Sequence, residues 1–213
     1  MVKIHILGGS GSGKTTLAES LSSRFEIPHY DLDQITMKIN QLGLDDRARH
    51  AAYIEQAFAL AEQPGLVTEG HFLIWTEPLL YHADCIVVLN VSWPVAAWRI
   101  VARHVSKSLR RINPYPTKVL LPFLKNVRKY YVNIDSYAPF TNAFLRDCLE
   151  KYKDGGNVLD EGFLLMGMEK YGMLSIFYTA DFLMKYLERY KEKVFVVKKN
   201  DDRERLFEQL TNR

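Results

Sequence analysis

The chain opens on VKIHIL, an apolar run rich in β-branched residues, and this pattern predicts a central strand buried on both faces. A glycine-rich turn follows, after which TTLAESLSSRF sets Leu17 and Leu21 on one face of a helix that starts near Lys14. Apolar strand patterns return at residues 27–32, 66–70, 85–91 and 194–198, and helical patterns such as 45–62 and 94–109 lie between them. Strands alternating with helices predict an α/β fold of three layers, a central parallel sheet of about five strands with helices on both faces. Right-handed crossovers then collect the loops that follow the strands along the carboxyl edge, where such sheets bind ligands. Residues 8–15, 31–33, 69–71 and 198–202 are expected to meet there. From 112 to 190 the strand pattern lapses, and aromatic-rich helical segments broken at Pro114, Pro116, Pro122, Pro139 and Gly155-Gly156 predict a helical lid or insertion within one domain spanning 1–213. Two of its segments, FLRDCLEKYK (144–153) and FLMKYLERYK (182–191), match each other and read as two amphipathic helices.

Composition narrows the class. With 213 residues, 47% of them hydrophobic, the chain can bury one sizeable core. No apolar run approaches the roughly 18 residues of a membrane span. The first residues also lack the order of a signal peptide. The expectation is a cytoplasmic protein without a membrane partner. Cys85 and Cys148 stand outside any paired or metal-ligand spacing, so both are expected to be reduced, buried thiols. The formal net charge is only +3, although Arg110-Arg111 and Lys198-Lys199 are local basic clusters. Such clusters favour anionic ligands locally and give little support for nucleic acid.

The chemistry begins with GGSGSGKTT. Gly8, four intervening residues, then Gly13, Lys14 and Thr15 form a phosphate-loop signature in its strand–loop–helix setting. Gly8, Gly9, Ser10, Gly11, Ser12 and Gly13 let backbone N–H groups face an anion, and the helix start adds its positive dipole end. Lys14 is expected to reach β- and γ-phosphates, Thr15 to offer a hydroxyl oxygen to Mg²⁺, and Thr16 to complete the loop. Strand two ends in PHYDLDQI, which places Asp31 and Asp33 at alternate positions of one strand face. Asp33 is read as contacting an acceptor hydroxyl and serving as its base, or alternatively as a helix N-cap, and Asp31 as a metal–water contact. Glu69, at the end of LVTEGHF, can hold a metal-bound water or the acceptor. Four apart on one helix face, Arg99 and Arg103 suit base stacking and phosphate clamping. Tyr30, Phe72 and Trp75 could stack a base, or belong to the core.

Assembled, these elements resemble the P-loop nucleotide and small-molecule kinases, especially the adenylate-kinase-related proteins called DNA topology modulation (FlaR-like) proteins. The resemblance rests on GGSGSGKTTLAESL, IPHYDLDQI, VTEGHF, ADCIVVLNVSWPVAAWRIVARHV and KVFVVKKND. It implies ATP and Mg²⁺ as cofactors, Asp33 as the acceptor-side carboxylate, and Arg99 and Arg103 as the arginines that open a lid, near the adenine and the phosphates respectively. Adenylate kinases follow strand three with Asp-Gly-Phe-Pro-Arg, whereas this chain reads Glu69-Gly70-His71-Phe72-Leu73 and has no arginine to grip an acceptor phosphate. The leading reading is an ATP- and Mg-dependent phosphotransferase with Lys14, Asp33 and Arg103 as catalytic residues and a small acceptor: a nucleoside, a nucleotide or another hydroxyl metabolite. The alternatives are a regulatory P-loop ATPase and, with less support, an ATP-dependent nucleic-acid-binding protein.

Overall fold

In the computed structural model, which describes residues 1–153, 159–172 and 176–211, five parallel strands form one sheet in the order β2-β3-β1-β4-β5. The strands are β1 (Lys3–Gly8), β2 (His29–Asp31), β3 (Leu66–Gly70), β4 (Cys85–Leu89) and β5 (Val194–Val197). The three inner strands are the apolar ones: β3 and β4 are buried along their whole length, and β1 everywhere but its first residue. The register sets Asp31 opposite Glu69, Glu69 opposite Ile6 and Gly8 opposite Leu89. Four strands therefore reach the carboxyl edge nearly level, and whatever follows them meets there.

Helices α1 (Lys14–Phe25) and α10 (Asn200–Thr211) cover one face, packing Leu17, Leu21, Leu206 and Leu210 onto Ile4, Ile6, Val67 and Val87. The other face takes α2 (Leu32–Asn40), α3 (Asp46–Ala61) and α4 (Glu77–His82), with α8 (Glu161–Tyr171) and α9 (Ala180–Tyr186) beyond them. Each buried leucine or isoleucine side chain contributes about 1.5–3 kcal/mol, so the alternation along β1 commits both faces. The remaining helices, α5 (Trp93–Leu109), α6 (Leu120–Tyr131) and α7 (Ala138–Lys153), lead from β4 into the insertion. Local chemistry sets several starts: Asp45 caps Ala48 N at 2.8 Å, Asp160 caps Phe163 N at 2.7 Å, and Thr179 caps Phe182 N at 3.1 Å.

Two expectations are corrected. The segment 182–191 is not one amphipathic helix, because α9 ends at Tyr186 and a 3-10 stretch, Leu187–Lys193, tightens the chain before β5. The tightening brings Tyr186, Arg189 and Tyr190 onto one carboxylate. The helix cap after β2 is Asp31 rather than Asp33, and Asp33 belongs to the first turn of α2, so the two do not share a strand face. Of the two readings of Phe72 and Trp75, the structure shows core: both are buried and lie against each other. Cys85 is buried, as expected, while the side chain of Cys148 and the break at Gly155-Gly156 lie outside the described residues.

One polar cluster ties the insertion to the sheet. Glu77, on α4, is almost fully buried and accepts from Tyr186 Oη at 2.5 Å, Arg189 Nη2 at 2.5 Å and Tyr190 Oη. A buried carboxylate is tolerable only when its oxygens are this fully engaged, and removing one partner strands the others. Glu77→Ala should cost about 3–5 kcal/mol in chemical denaturation, whereas an exposed control such as Glu188→Ala should stay within about 0.5 kcal/mol. Equal small losses would show that the cluster does not anchor the insertion.

Candidate active site

The turn after β1 is shaped by glycine. Gly11 (φ 82°) and Gly13 (φ 99°) take left-handed backbone, and a Cβ on Gly11 would lie 2.6 Å from Ala96 O. α1 starts directly on Gly13 with no side-chain cap and no acidic residue in its first turn, unlike α2, α3, α8 and α9, which all carry both. Its N–H groups and dipole end are thus left to an external anion, a phosphate above all. Lys14 is buried beneath the loop with Nζ donating to Gly8 O at 3.0 Å and Gly9 O at 3.4 Å. Burial lowers its pKa, and the charges of Glu69 and Asp33 oppose that shift.

Charges converge on this turn from separate elements. Arg99, on α5, donates Nη1 to Ser12 O at 2.7 Å. A cleft of about 450 Å³ is walled by Lys14, Thr15, Asp33, Glu69, Arg103 and Arg203, with Ser10, Gly11, Gly13, Thr16 and Arg99 completing it. Arg203, on α10, went unnoticed in the sequence because an arginine in an amphipathic helix carries no motif; only the packing of α10 beside α1 turns it inward. Burial and the neighbouring Arg99 both lower its proton affinity. A contiguous volume of about 470 Å³ shares Arg99 and Arg203 and runs past Asn90, Ser92, Lys198 and Asn200.

The carboxylates occupy the opposite wall. Thr15 Oγ1 donates to Glu69 Oε1 at 2.6 Å, which puts a hydroxyl oxygen and a carboxylate side by side. Burial raises the Glu69 pKa, opposed by the Thr15 hydrogen bond and by Lys14. Asp33 opens to solvent at the cleft mouth, yet it stands in a concave wall, and this desolvation raises its pKa against the pull of Lys14. Asp31 is engaged locally: Oδ1 accepts from Asp33 N at 2.9 Å and Gln34 N at 3.4 Å, and Oδ2 from Gln34 Nε2 at 3.1 Å. No cluster of three or more His, Cys, Asp or Glu that could hold a metal occurs among the described residues. The Thr15–Glu69 pair does fit a hard cation such as Mg²⁺ that takes most of its ligands from phosphate and water.

The inner side of the loop is closed by the insertion. A Cβ on Gly9 would meet Tyr130 Cδ1 at 2.6 Å, and Tyr131 Oη donates to Ser10 O at 2.9 Å. Beside them His71 stacks on Tyr178 with centroids 4.4 Å apart and meets the edge of Tyr130 at 5.3 Å. These rings and Gly9 and Ser10 border a cavity of about 260 Å³. Tyr130, Tyr131 and Tyr178 lie in the helical middle of the chain, whose aromatic residues carry no spacing that distinguishes a site from a core.

The fold is α/β, a five-stranded parallel sheet between helices with a glycine-rich loop leading into α1. No family model matches the chain, and no curated protein matches it either. Among solved structures it is similar to a shikimate kinase from Bacteroides thetaiotaomicron (22% identity, 59% of this chain and 76% of that one, TM-score 0.41). It is also similar to a gluconokinase from Sinorhizobium meliloti (19% identity, 59% and 74%, TM-score 0.38). A shikimate kinase from Acinetobacter baumannii, solved with shikimate, gives 17% identity, 61% and 75%, and a TM-score of 0.38. At these values the likeness carries no argument, and the roles of residues rest on this chain's own geometry.

Two histidines, the buried His5 within β1 and His71 just after β3, give the protein an acid-side signature. Burial depresses His5, whose Nδ1 lies 2.7 Å from Thr68 Oγ1, and His71, each from the usual 6.5 to about 3. Both fold in neutral form, so below pH 6.5 the unfolded chain binds protons that the native state refuses, and stability falls as pH drops toward about 3. The slope approaches about 1.4 kcal/mol per pH unit for each histidine. Denaturation midpoints measured between about pH 7 and 4 should decline steeply in the wild type and less in His71→Gln. An unchanged slope in that variant would exclude His71 as one of the two groups.

Proposed function

We propose that the protein is an ATP-dependent phosphotransferase that moves a γ-phosphoryl group to a hydroxyl of a small acceptor. The observation that carries this reading is the single cleft in which the uncapped start of α1, Lys14, three arginines and two carboxylates of unequal role meet. ATP would lie with its phosphates along residues 8–16, clamped by Arg99, Arg103 and Arg203, and with its base toward Asn90 and Lys198. Mg²⁺, held by Thr15 and through water by Glu69 and the outer edge of Asp31, would supply charge neutralisation on the phosphates.

The remaining groups perform the acceptor half. Asp33 orients the acceptor hydroxyl and takes its proton as the new P–O bond forms, while the bond to the β-phosphate oxygen breaks and ADP leaves. Lys14 and Arg103 hold the charge that spreads over the transferring group. The cavity behind Gly9 and Ser10 suits a compact acceptor, since the buried Tyr178 Oη has no hydrogen-bond partner among the described residues and borders it. An unsatisfied buried hydroxyl costs stability unless a ligand engages it. A regulatory ATPase would have no use for such a cavity. The finer alternatives, a nucleoside, a nucleotide or another hydroxyl metabolite, are separated by a substrate panel.

ADP release would be followed with Mg-ATP against nucleosides, nucleotides, sugars and hydroxy acids. Lys14→Ala should abolish transfer in a protein that still folds. Asp33→Asn should cut transfer by roughly 10²–10⁴-fold with ATP affinity nearly unchanged. Normal transfer by Asp33→Asn, or loss of ATP binding as severe as in Lys14→Ala, would end the acceptor-side assignment. Acceptor-independent hydrolysis alone, across the whole panel, would favour the regulatory reading.

A further inference from the structure

Residues 85–134 contain nine lysines and arginines and no aspartate or glutamate, in a chain whose net charge is only +3. The rest of the protein is therefore net negative, and its positive charge is concentrated on α5, α6 and the turn between them. The two helices pack against each other as a hairpin. Its base is the phosphate loop, where Arg99 holds Ser12 O and Tyr131 holds Ser10 O. Its tip lies roughly 15 Å farther out, ten residues along α5 from Arg99 at 1.5 Å per residue.

α5 carries two stripes. Arg99, Arg103 and Lys107 form one, at four-residue spacing, and its first two members face the nucleotide cleft. Val95, Trp98, Ala102, Val105 and Leu109 form the other, at the three- and four-residue spacing of a buried helix face, yet all five are exposed. The apolar surface continues around the tip: Trp98 is 72% exposed, Leu109 80%, Ile112 62%, Tyr115 65% and Leu121 69%. Beside it stand Lys107, Arg110, Arg111, Lys118, Lys125 and Arg128, none of them in an ion pair among the described residues.

We infer that the α5–α6 hairpin is a docking element for an anionic membrane surface, with Trp98, Leu109, Ile112 and Leu121 seated at the headgroup–acyl boundary and the surrounding cations on lipid headgroups. An exposed apolar stripe bordered by cations is the pattern of a helix lying in that interface. Charge complementarity selects the partner: nothing acidic on the hairpin opposes an anionic bilayer, and two copies of this chain meeting at this face would crowd their cations together. Nucleic acid fits less well, because the most exposed tip residues are mainly aliphatic and offer no series of stacking rings. Asn113, the one side-chain amide in the turn, is also committed to Ser108 Oγ at 2.8 Å and Tyr115 N at 3.1 Å. The expectation of no membrane partner came from the lack of a spanning run, and no helix among the described residues is long and apolar enough to cross a membrane. An interfacial helix needs no such run. The inference is independent of the proposed kinase activity.

The full chain would be co-sedimented with phosphatidylcholine vesicles made with and without phosphatidylserine, at low and high salt, while tryptophan emission is followed. Binding is expected only with phosphatidylserine, should weaken with salt, and should shift emission to the blue in wild type but not in Trp98→Phe. Arg110→Gln with Lys118→Gln should weaken binding by roughly twenty-five-fold, at about fivefold per cation. Leu109→Ser with Leu121→Ser should weaken it by at least about tenfold. All four positions are exposed, so an unchanged circular-dichroism spectrum serves as a control for folding. Absence of anionic-vesicle binding at low salt overturns the inference. So does salt-sensitive binding without the Trp98 shift and unaffected by the leucine pair, which would be adsorption by charge alone. Tighter binding of single-stranded nucleic acid than of vesicles, or self-association abolished by the leucine pair, would assign the hairpin to a different partner and likewise overturn it.

Discussion

The convergence of Lys14, Arg99, Arg103 and Arg203 on one turn of backbone is the constraint around which the structure is arranged. Like charges brought together repel, and a helix start without a cap adds its own positive potential. Glu69 and Asp33 offset part of this, as their opposing effects on the Lys14 pKa attest. Neither makes an ion pair with the arginines. The arrangement is thus balanced for an anion of several charges, and its cost to the folded chain is met by the apolar sheet beneath. That division fits the almost complete burial of β1, β3 and β4, which support the loop.

Position at the edge follows from register and not from any local motif. Because Asp31 pairs with Glu69 and Glu69 with Ile6, the three chain ends can differ little in height, and the side chains after them reach one cleft. The arginines come from the other direction: α5 leaves β4 and passes so close over the loop that Ala96 O nearly touches Gly11. A side chain at Gly11 would push α5 away and carry Arg99 with it. Glycine there serves the placement of the clamp as well as the shape of the loop.

The sheet, the loop and the cleft's main charges were legible because each has a short-range signature. A buried strand is a run of apolar residues, and a phosphate loop needs glycine and lysine at fixed offsets. Asp31 and Asp33 were harder, since a two-residue shift decides which carboxylate caps the helix, and β2 stops at Asp31, earlier than the apolar pattern implied. Arg203, Tyr130 and Tyr178 were not legible, because their roles depend on how helices distant in sequence stack. The second half of 182–191 misled for a related reason. Its helical pattern is real, but Glu77 draws Arg189 and Tyr190 into a tighter winding that only a long-range contact can impose.

The packing of the insertion also bears on why transfer is a better reading than switching. A nucleotide switch needs a segment beside the γ-phosphate that can rearrange when the phosphate departs. Here the inner side of the loop is filled by Tyr130 and Tyr131, with no room for even a methyl group on Gly9, and these rings are buttressed by His71 and Tyr178. A rearrangement there would have to break an aromatic cluster continuous with the main core. What the cluster does supply is a packed aromatic wall beside the loop, and excluding water is the requirement that separates phosphoryl transfer from hydrolysis. In the proposed reading, the cavity bordered by that wall seats the acceptor, and the packed rings around it suit a small molecule.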